Sequence, residues 1–73
     1  MIDYSKGRYV VKDADGRVVG GIDGDEFVRD GVRLVYRIDG DEFYTLDRVL
    51  IGFISEGTVL SPSGEPKFKI EAE

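Results

Sequence analysis

The sequence predicts an all-β fold of four β-hairpin repeats, with about eight short antiparallel strands around a pseudo-four-fold axis. The hexapeptide at residues 22–27, IDGDEF, recurs letter for letter at residues 38–43, sixteen positions later. Isoleucine returns with the same spacing at positions 22, 38, 54 and 70. Apolar runs are about five residues long, are bounded by turn-forming residues and never show the spacing of an amphipathic helix. Together these observations indicate repeated hairpins.

The repeats divide one domain, residues 1–73, into units of nearly equal length. Residues 1–8 form a lead-in, and the repeats span residues 11–26, 27–42, 43–58 and 59–73. Each repeat reads as a strand, a turn, a returning strand and a closing loop. The turns are predicted at Asp15-Gly16, Asp30-Gly31, Asp47-Arg48 and Ser63-Gly64, since Asp, Ser and Gly favour turn conformations. Both prolines lie at or beside the last turn, where a missing amide hydrogen is tolerated.

Period-two alternation along the returning strands predicts which side chains point inward. The inward set is almost wholly apolar and consists of Ile22, Ile38, Ile54, Ile70, Gly20, Tyr36, Gly52, Phe68, Val18, Leu34, Leu50 and Pro66. In one layer of this core small and large residues alternate, which fills a narrow centre without overpacking. A four-residue closing loop is predicted to pair Ile22 with Phe27, and likewise Ile38 with Phe43 and Ile54 with Val59. A two-residue Asp23-Gly24 turn would instead place a carboxylate beside the core.

Composition narrows the range of functions. The formal net charge is −5, and the chain has neither cysteine nor histidine. Excess negative charge disfavours binding to nucleic acid and to anionic membrane surfaces. Without His or Cys the commonest general base, nucleophilic thiol and metal ligands are missing, so we expect no enzyme and no cofactor. The N-terminal residues show no secretory signal, and the expected location is the cytoplasm.

The order of elements resembles the four-fold β-flower domains, small bacterial proteins with four β-hairpin repeats around a pseudo-four-fold axis. The resemblance covers residues 9–73. It is carried by Asp15-Gly16 with Gly20 and Ile22, Asp30-Gly31 with Ile38, Asp47 with 52–54, and Ser63-Gly64 with Ile70. The sequence departs from the pattern at Arg48, where a turn glycine is expected, and at Tyr36 and Phe68, which replace glycine. The resemblance implies the fold and no catalytic activity.

Two kinds of binding site remain open at this point. The closing loops gather carboxylates at one end of the predicted molecule, where Asp23, Asp25, Asp39 and Asp41 are candidate ligands for Ca²⁺. The spacing of a calcium-binding loop is missing, and Asp and Gly are also what tight turns select. We therefore expect solvated turns, with calcium binding as the alternative.

The second candidate is a strip of side chains on the strand face opposite the isoleucines. Val35, Ile51 and Phe53, with Arg37 at the edge, are too apolar for a face in contact with water alone. The strip fits either packing between hairpins or contact with a protein partner, including a second copy. The sequence thus predicts a small interaction or structural module of unidentified partner.

Overall fold

The computed structural model describes residues 3–73, in which eight antiparallel strands close into one barrel with β8 paired to β1. The strands are β1 Arg8–Asp13, β2 Val18–Asp23, β3 Phe27–Asp30, β4 Arg33–Asp39, β5 Glu42–Thr45, β6 Leu50–Ser55, β7 Thr58–Leu60 and β8 Pro66–Ala72. A single 3₁₀ turn, Tyr4–Lys6, precedes β1. Met1 and Ile2, the start of the predicted lead-in, lie outside the described residues. The all-β prediction with about eight short strands is confirmed, while the four-fold axis stays a prediction.

The core occupies the interior of the barrel. Its buried members are Tyr4, Val11, Ile22, Val28, Ile38, Phe43, Val59 and Ile70. The rings of Tyr36, Phe43 and Phe68 form a cluster in which every pair of centroids is 5.1 Å apart. A Cβ atom on Gly20 would stand 2.6 Å from the carbonyl oxygen of Arg29, and one on Gly52 would overlap that of Leu60. These two glycines therefore let the backbone of the following hairpin approach closely.

A β-bulge interrupts each returning strand at the same position of the repeat. The register shifts where β2, β4, β6 and β8 pair with the preceding strand, and the residues left unpaired are Val19, Val35, Ile51 and Lys67. One extra residue reverses the inward–outward alternation beyond it. Consequently Val19, Val35 and Ile51 pack against the core.

The bulges correct the predicted set of core residues. Val18 is 65% exposed, Leu34 is 36% exposed, Pro66 is exposed and Leu50 is only half-buried. Placing Val18, Leu34 and Pro66 in the core was wrong, because strict alternation does not continue past the bulge. On the other side of the bulge, Ile22, Ile38, Ile70 and Gly52 are buried as predicted, and the other predicted inward residues are half-buried: Gly20, Tyr36, Ile54 and Phe68.

The two identical hexapeptides fold in different registers. Ile38 pairs with Phe43 and Ile54 with Val59, as predicted. In the first copy, however, Gly21 pairs with Arg29, which brings Ile22 opposite Val28. The predicted pairing of Ile22 with Phe27 is therefore wrong. Strand β3 has slid by one residue, so that Val28 is fully buried while Phe27 is half-buried.

Candidate functional site

Hairpin topology gives the barrel two chemically different ends. We call the loops between β2 and β3, β4 and β5, and β6 and β7 the closing end; the Tyr4–Lys6 turn lies there, because the amide of Gly24 donates to the carbonyl of Gly7. The opposite end, which we call the tip rim, consists of the hairpin turns after β1, β3, β5 and β7 with their flanking residues. Every predicted acidic candidate lies at the closing end.

The closing-end carboxylates that make ion pairs do so with separate arginines. Asp25 Oδ2 lies 2.7 Å from a terminal nitrogen of Arg29. Asp23 lies 3.6 Å from Nε of Arg8. Asp39 and Asp41 are exposed on another loop. Across residues 3–73, no three acidic side chains are grouped so that they could hold a metal ion. The structure thus does not bring the four candidate calcium ligands together.

The Asp25 carboxylate organises the first closing loop. Its Oδ1 accepts a hydrogen bond from the Phe27 amide at 3.0 Å, while Oδ2 binds Arg29. The hydrogen bond from Arg29, followed by that from Phe27, lowers the pKa of Asp25. Asp41 occupies the same place in the second hexapeptide. The residue four positions after Asp41 is Thr45, whereas the residue four positions after Asp25 is Arg29. The ion pair to Arg29 thus accompanies the shifted register of the first copy and has no counterpart in the second.

Tyr4 seals the closing end, a role that the repeat pattern did not predict. Its side chain is buried and its ring meets that of Tyr9 edge-on, with centroids 5.1 Å apart. Burial, with a contribution from Tyr9, raises the pKa of the Tyr4 phenol. The only sequence signal was one large aromatic residue within the otherwise polar segment 3–7.

The predicted interaction strip does not form one continuous surface. Val35 and Ile51 pack against the core because they are bulge residues. Phe53 remains 42% exposed on the outer wall. Arg37 is half-buried, with a terminal nitrogen 3.4 Å from Glu26 and an Nε that is buried without a partner among residues 3–73. Because Val35 and Ile51 pack against the core, Phe53 is the one exposed apolar residue of the predicted strip. That Phe53 contacts a protein partner stays a prediction.

The exposed apolar side chains instead collect at the tip rim. Of the large apolar residues that are exposed within residues 3–73, all but Phe53 lie there: Val18, Val32, Leu34, Leu46 and Val49. Val32 is fully exposed at the turn between β3 and β4. Val18 lies beside the first tip turn, Val32 and Leu34 at the second, and Leu46 and Val49 at the third. The first three hairpins therefore all present exposed apolar side chains at the same end of the barrel.

Charged side chains of both signs lie among the exposed apolar residues of the tip rim. Each of the first three tip loops, with its flanking residues, carries an acidic and a basic residue: Asp15 with Arg17, Asp30 with Arg33, and Asp47 with Arg48. In the part of the chain that the structure describes, none of these six makes an ion pair. The fourth loop differs, since Lys67 lies 3.5 Å from Glu65.

Arg48 also has an unusual backbone. It takes a left-handed conformation with φ of 67°, as do Gly16 and Gly64 at the equivalent positions of other repeats. A non-glycine residue pays a steric penalty there, because its Cβ crowds the following carbonyl. This is the turn position at which glycine was expected from the sequence pattern.

Comparisons with protein families, curated proteins and solved structures found no match to this chain. No helix within residues 3–73 has the length and apolar character needed to cross a membrane. The resemblance to β-flower domains therefore remains a prediction from the sequence, alongside the barrel that the structure shows.

Proposed function

We propose that this protein is a small, cytoplasmic, non-catalytic interaction module that binds a protein partner through the tip rim. The observation that carries the proposal is the concentration of exposed Val18, Val32, Leu34, Leu46 and Val49 at one end of the barrel. Apolar surface that is exposed and concentrated in one region of a small protein commonly marks an interaction site. The tip rim replaces the Val35, Ile51 and Phe53 strip as the surface that we expect to be covered.

The composition of the rim suits protein recognition. Its apolar residues are surrounded by exposed arginines and carboxylates, an arrangement in which an apolar centre excludes water and a polar border sets orientation. The absence of cysteine fits a reducing compartment. The chain also offers no histidine or thiol to act as base or nucleophile, which favours binding over catalysis.

Site-specific photo-crosslinking tests this proposal in cells that express the protein. A photoreactive amino acid would replace Val32 on the tip rim, and Asp41 at the closing end in a matched control, since both are exposed loop residues. We expect irradiation to give a discrete crosslinked protein product from position 32 and none from position 41. Equal yields from both positions, or no product from position 32, would contradict a docking surface at the rim.

A further inference from the structure

We infer that the protein covering the tip rim is a second copy of this chain, paired rim to rim about a two-fold axis. This inference rests on the proposed function and names its partner. It is supported by the distribution of charge between the two ends, by the unpaired charges of the rim itself and by the size of the surface.

The first argument is the asymmetry of charge along the barrel. The closing loops at residues 23–26, 39–42 and 55–58 carry seven carboxylates. Arginines of the neighbouring strands pair with three of them, and the other four make no ion pair among residues 3–73. The tip loops with their flanking residues, 13–18, 30–34, 45–50 and 60–67, carry five carboxylates and four basic residues. Two copies that meet at their rims thus bring nearly neutral surfaces together and direct the acidic ends outward.

This arrangement also minimises repulsion between copies. One molecule measures 31 × 25 × 24 Å. With a rim-to-rim contact, the closing ends of the two copies are separated by several times the screening length of about 8 Å at physiological salt. A contact between two closing ends would place the carboxylates against each other. The uneven distribution of the net charge of −5 between the two ends therefore favours the rim as the contact.

The second argument is self-complementarity. A two-fold interface presents the same patch twice, so the patch has to contain its own complement. Each of the first three tip loops supplies one guanidinium and at least one carboxylate that make no ion pair among residues 3–73, beside an apolar residue. A two-fold rotation can place the arginines of one copy against the carboxylates of the other while the valines and leucines meet. A uniformly acidic or basic partner would satisfy only half of these groups.

The third argument concerns strength. A flat patch on a molecule with extents of 31 × 25 × 24 Å covers roughly 500 Å², so two copies bury about 1,000 Å² in total, at the low end of interface sizes. The pair should therefore be reversible and weak, with a Kd of roughly 10 μM to 1 mM. Dilution dissociates it, and its detection requires a concentration series.

Charge swapping provides the test. The acidic-rim variant combines Arg17→Glu, Arg33→Glu and Arg48→Glu, and the basic-rim variant combines Asp15→Arg, Asp30→Arg and Asp47→Arg. Sedimentation equilibrium over about 10 μM to 1 mM should show the wild type passing from monomer to dimer. Each variant alone should have at least a tenfold higher Kd, because like charges then oppose each other across the axis. A mixture of the two should form a heterodimer.

The controls separate this inference from the proposed function. Asp41→Arg changes the charge of the closing end and should leave the dimer unchanged, and circular dichroism should confirm that both rim variants fold. A wild type that stays monomeric to about 1 mM would overturn the inference, as would folded rim variants that do not pair when mixed. If position 32 then crosslinks to a different protein, the proposed function stands; if it crosslinks to nothing, both fail.

Discussion

The rings of Tyr36 and Phe68 lie with centroids 5.1 Å apart, although their strands, β4 and β8, stand on opposite sides of the closed barrel. The strands midway between them, β2 and β6, contribute Gly20 and Gly52 at the equivalent repeat positions. The interior at this level is thus filled by these two rings together with that of Phe43, whose centroid lies 5.1 Å from each. The alternation of small and large residues predicted from the sequence corresponds to this arrangement.

Because the two rings touch, substitutions at Tyr36 and Phe68 should not be additive. We expect Tyr36→Leu and Phe68→Leu each to destabilise the fold, with a coupling of about 0.5–1.5 kcal/mol in the double variant. Urea unfolding of the wild type, the two single variants and the double variant measures this coupling. Additive effects would mean that the rings do not interact.

Because the register of β3 is shifted by one residue, substitutions at Phe27 and Val28 should have unequal effects on the free energy of unfolding. Val28 is fully buried and Phe27 is half-buried, although the repeat pattern assigns Phe27 to the core. We expect Val28→Ala to reduce the free energy of unfolding by about 2 kcal/mol, because it leaves a cavity. Phe27→Ala should cost less than Val28→Ala, despite removing more atoms. The reverse order would place β3 in the register of the other repeats.

Arg48 offers a stabilising substitution. Arg48→Gly relieves the left-handed strain of a non-glycine residue, and we expect a gain of about 0.5–1 kcal/mol, net of the added flexibility of the unfolded chain. This corresponds to a rise in Tm of roughly 2–8 °C for a domain of this size. Arg48→Ala is the matched control, since it removes the same side chain but keeps the strain. Thermal unfolding at low protein concentration should show the gain for glycine alone.

The features predicted correctly are those that depend on the repeat itself. Strand number and the pairing of Ile38 with Phe43 follow from alternation and turn residues near each closing loop. The bulges were not predicted, because one extra residue in a run of apolar residues cannot be recognised from the sequence. The position of a bulge depends on how adjacent hairpins pair to close the barrel. The exposure of Val18 and Leu34, and hence part of the tip rim, depends on those bulges.

The register shift of β3 could not be predicted from the local sequence, because the two hexapeptides are identical. It accompanies a contact to a residue outside the hexapeptide, Arg29, whose guanidinium lies against Asp25. Tyr4 was missed for a similar reason, since it has no repeat equivalent. One signal of the rim was visible: Val32, Leu46 and Val49 lie in turns, where apolar residues are unexpected in a self-contained domain.

The buried Tyr4 phenol predicts a loss of stability in alkali. The pKa of Tyr4 is raised in the folded state, chiefly by burial, so the folded protein holds this proton more tightly than the unfolded chain does. The resulting stabilisation is complete below the ordinary tyrosine pKa, near pH 10, and is lost as the pH rises from there through the folded-state pKa. Tyr4→Phe cannot ionise and should lose stability less steeply above pH 10. Urea unfolding between about pH 8 and 11 measures this difference, and parallel curves would refute it.

The two hexapeptides provide an internal control for the contact between Asp25 and Arg29. The lowered pKa of Asp25, from its hydrogen bonds to Arg29 and Phe27, contributes stability that is present above the unfolded pKa near 3.8 and lost as the pH falls through the folded value. Because the side chains of Asp25 and Arg29 are each 35% exposed, we expect Asp25→Asn to cost only about 0.5 kcal/mol at neutral pH.

The same substitution should also flatten the acid dependence, since asparagine keeps an oxygen acceptor for the Phe27 amide but has no charge to titrate. Asp41→Asn changes the equivalent residue of the second hexapeptide, which makes no ion pair among residues 3–73. It should retain both the stability and the acid dependence of the wild type. Urea unfolding of the three proteins between about pH 2 and 7 distinguishes them. Equal effects at Asp25 and Asp41 would mean that the contact with Arg29 does not contribute to stability.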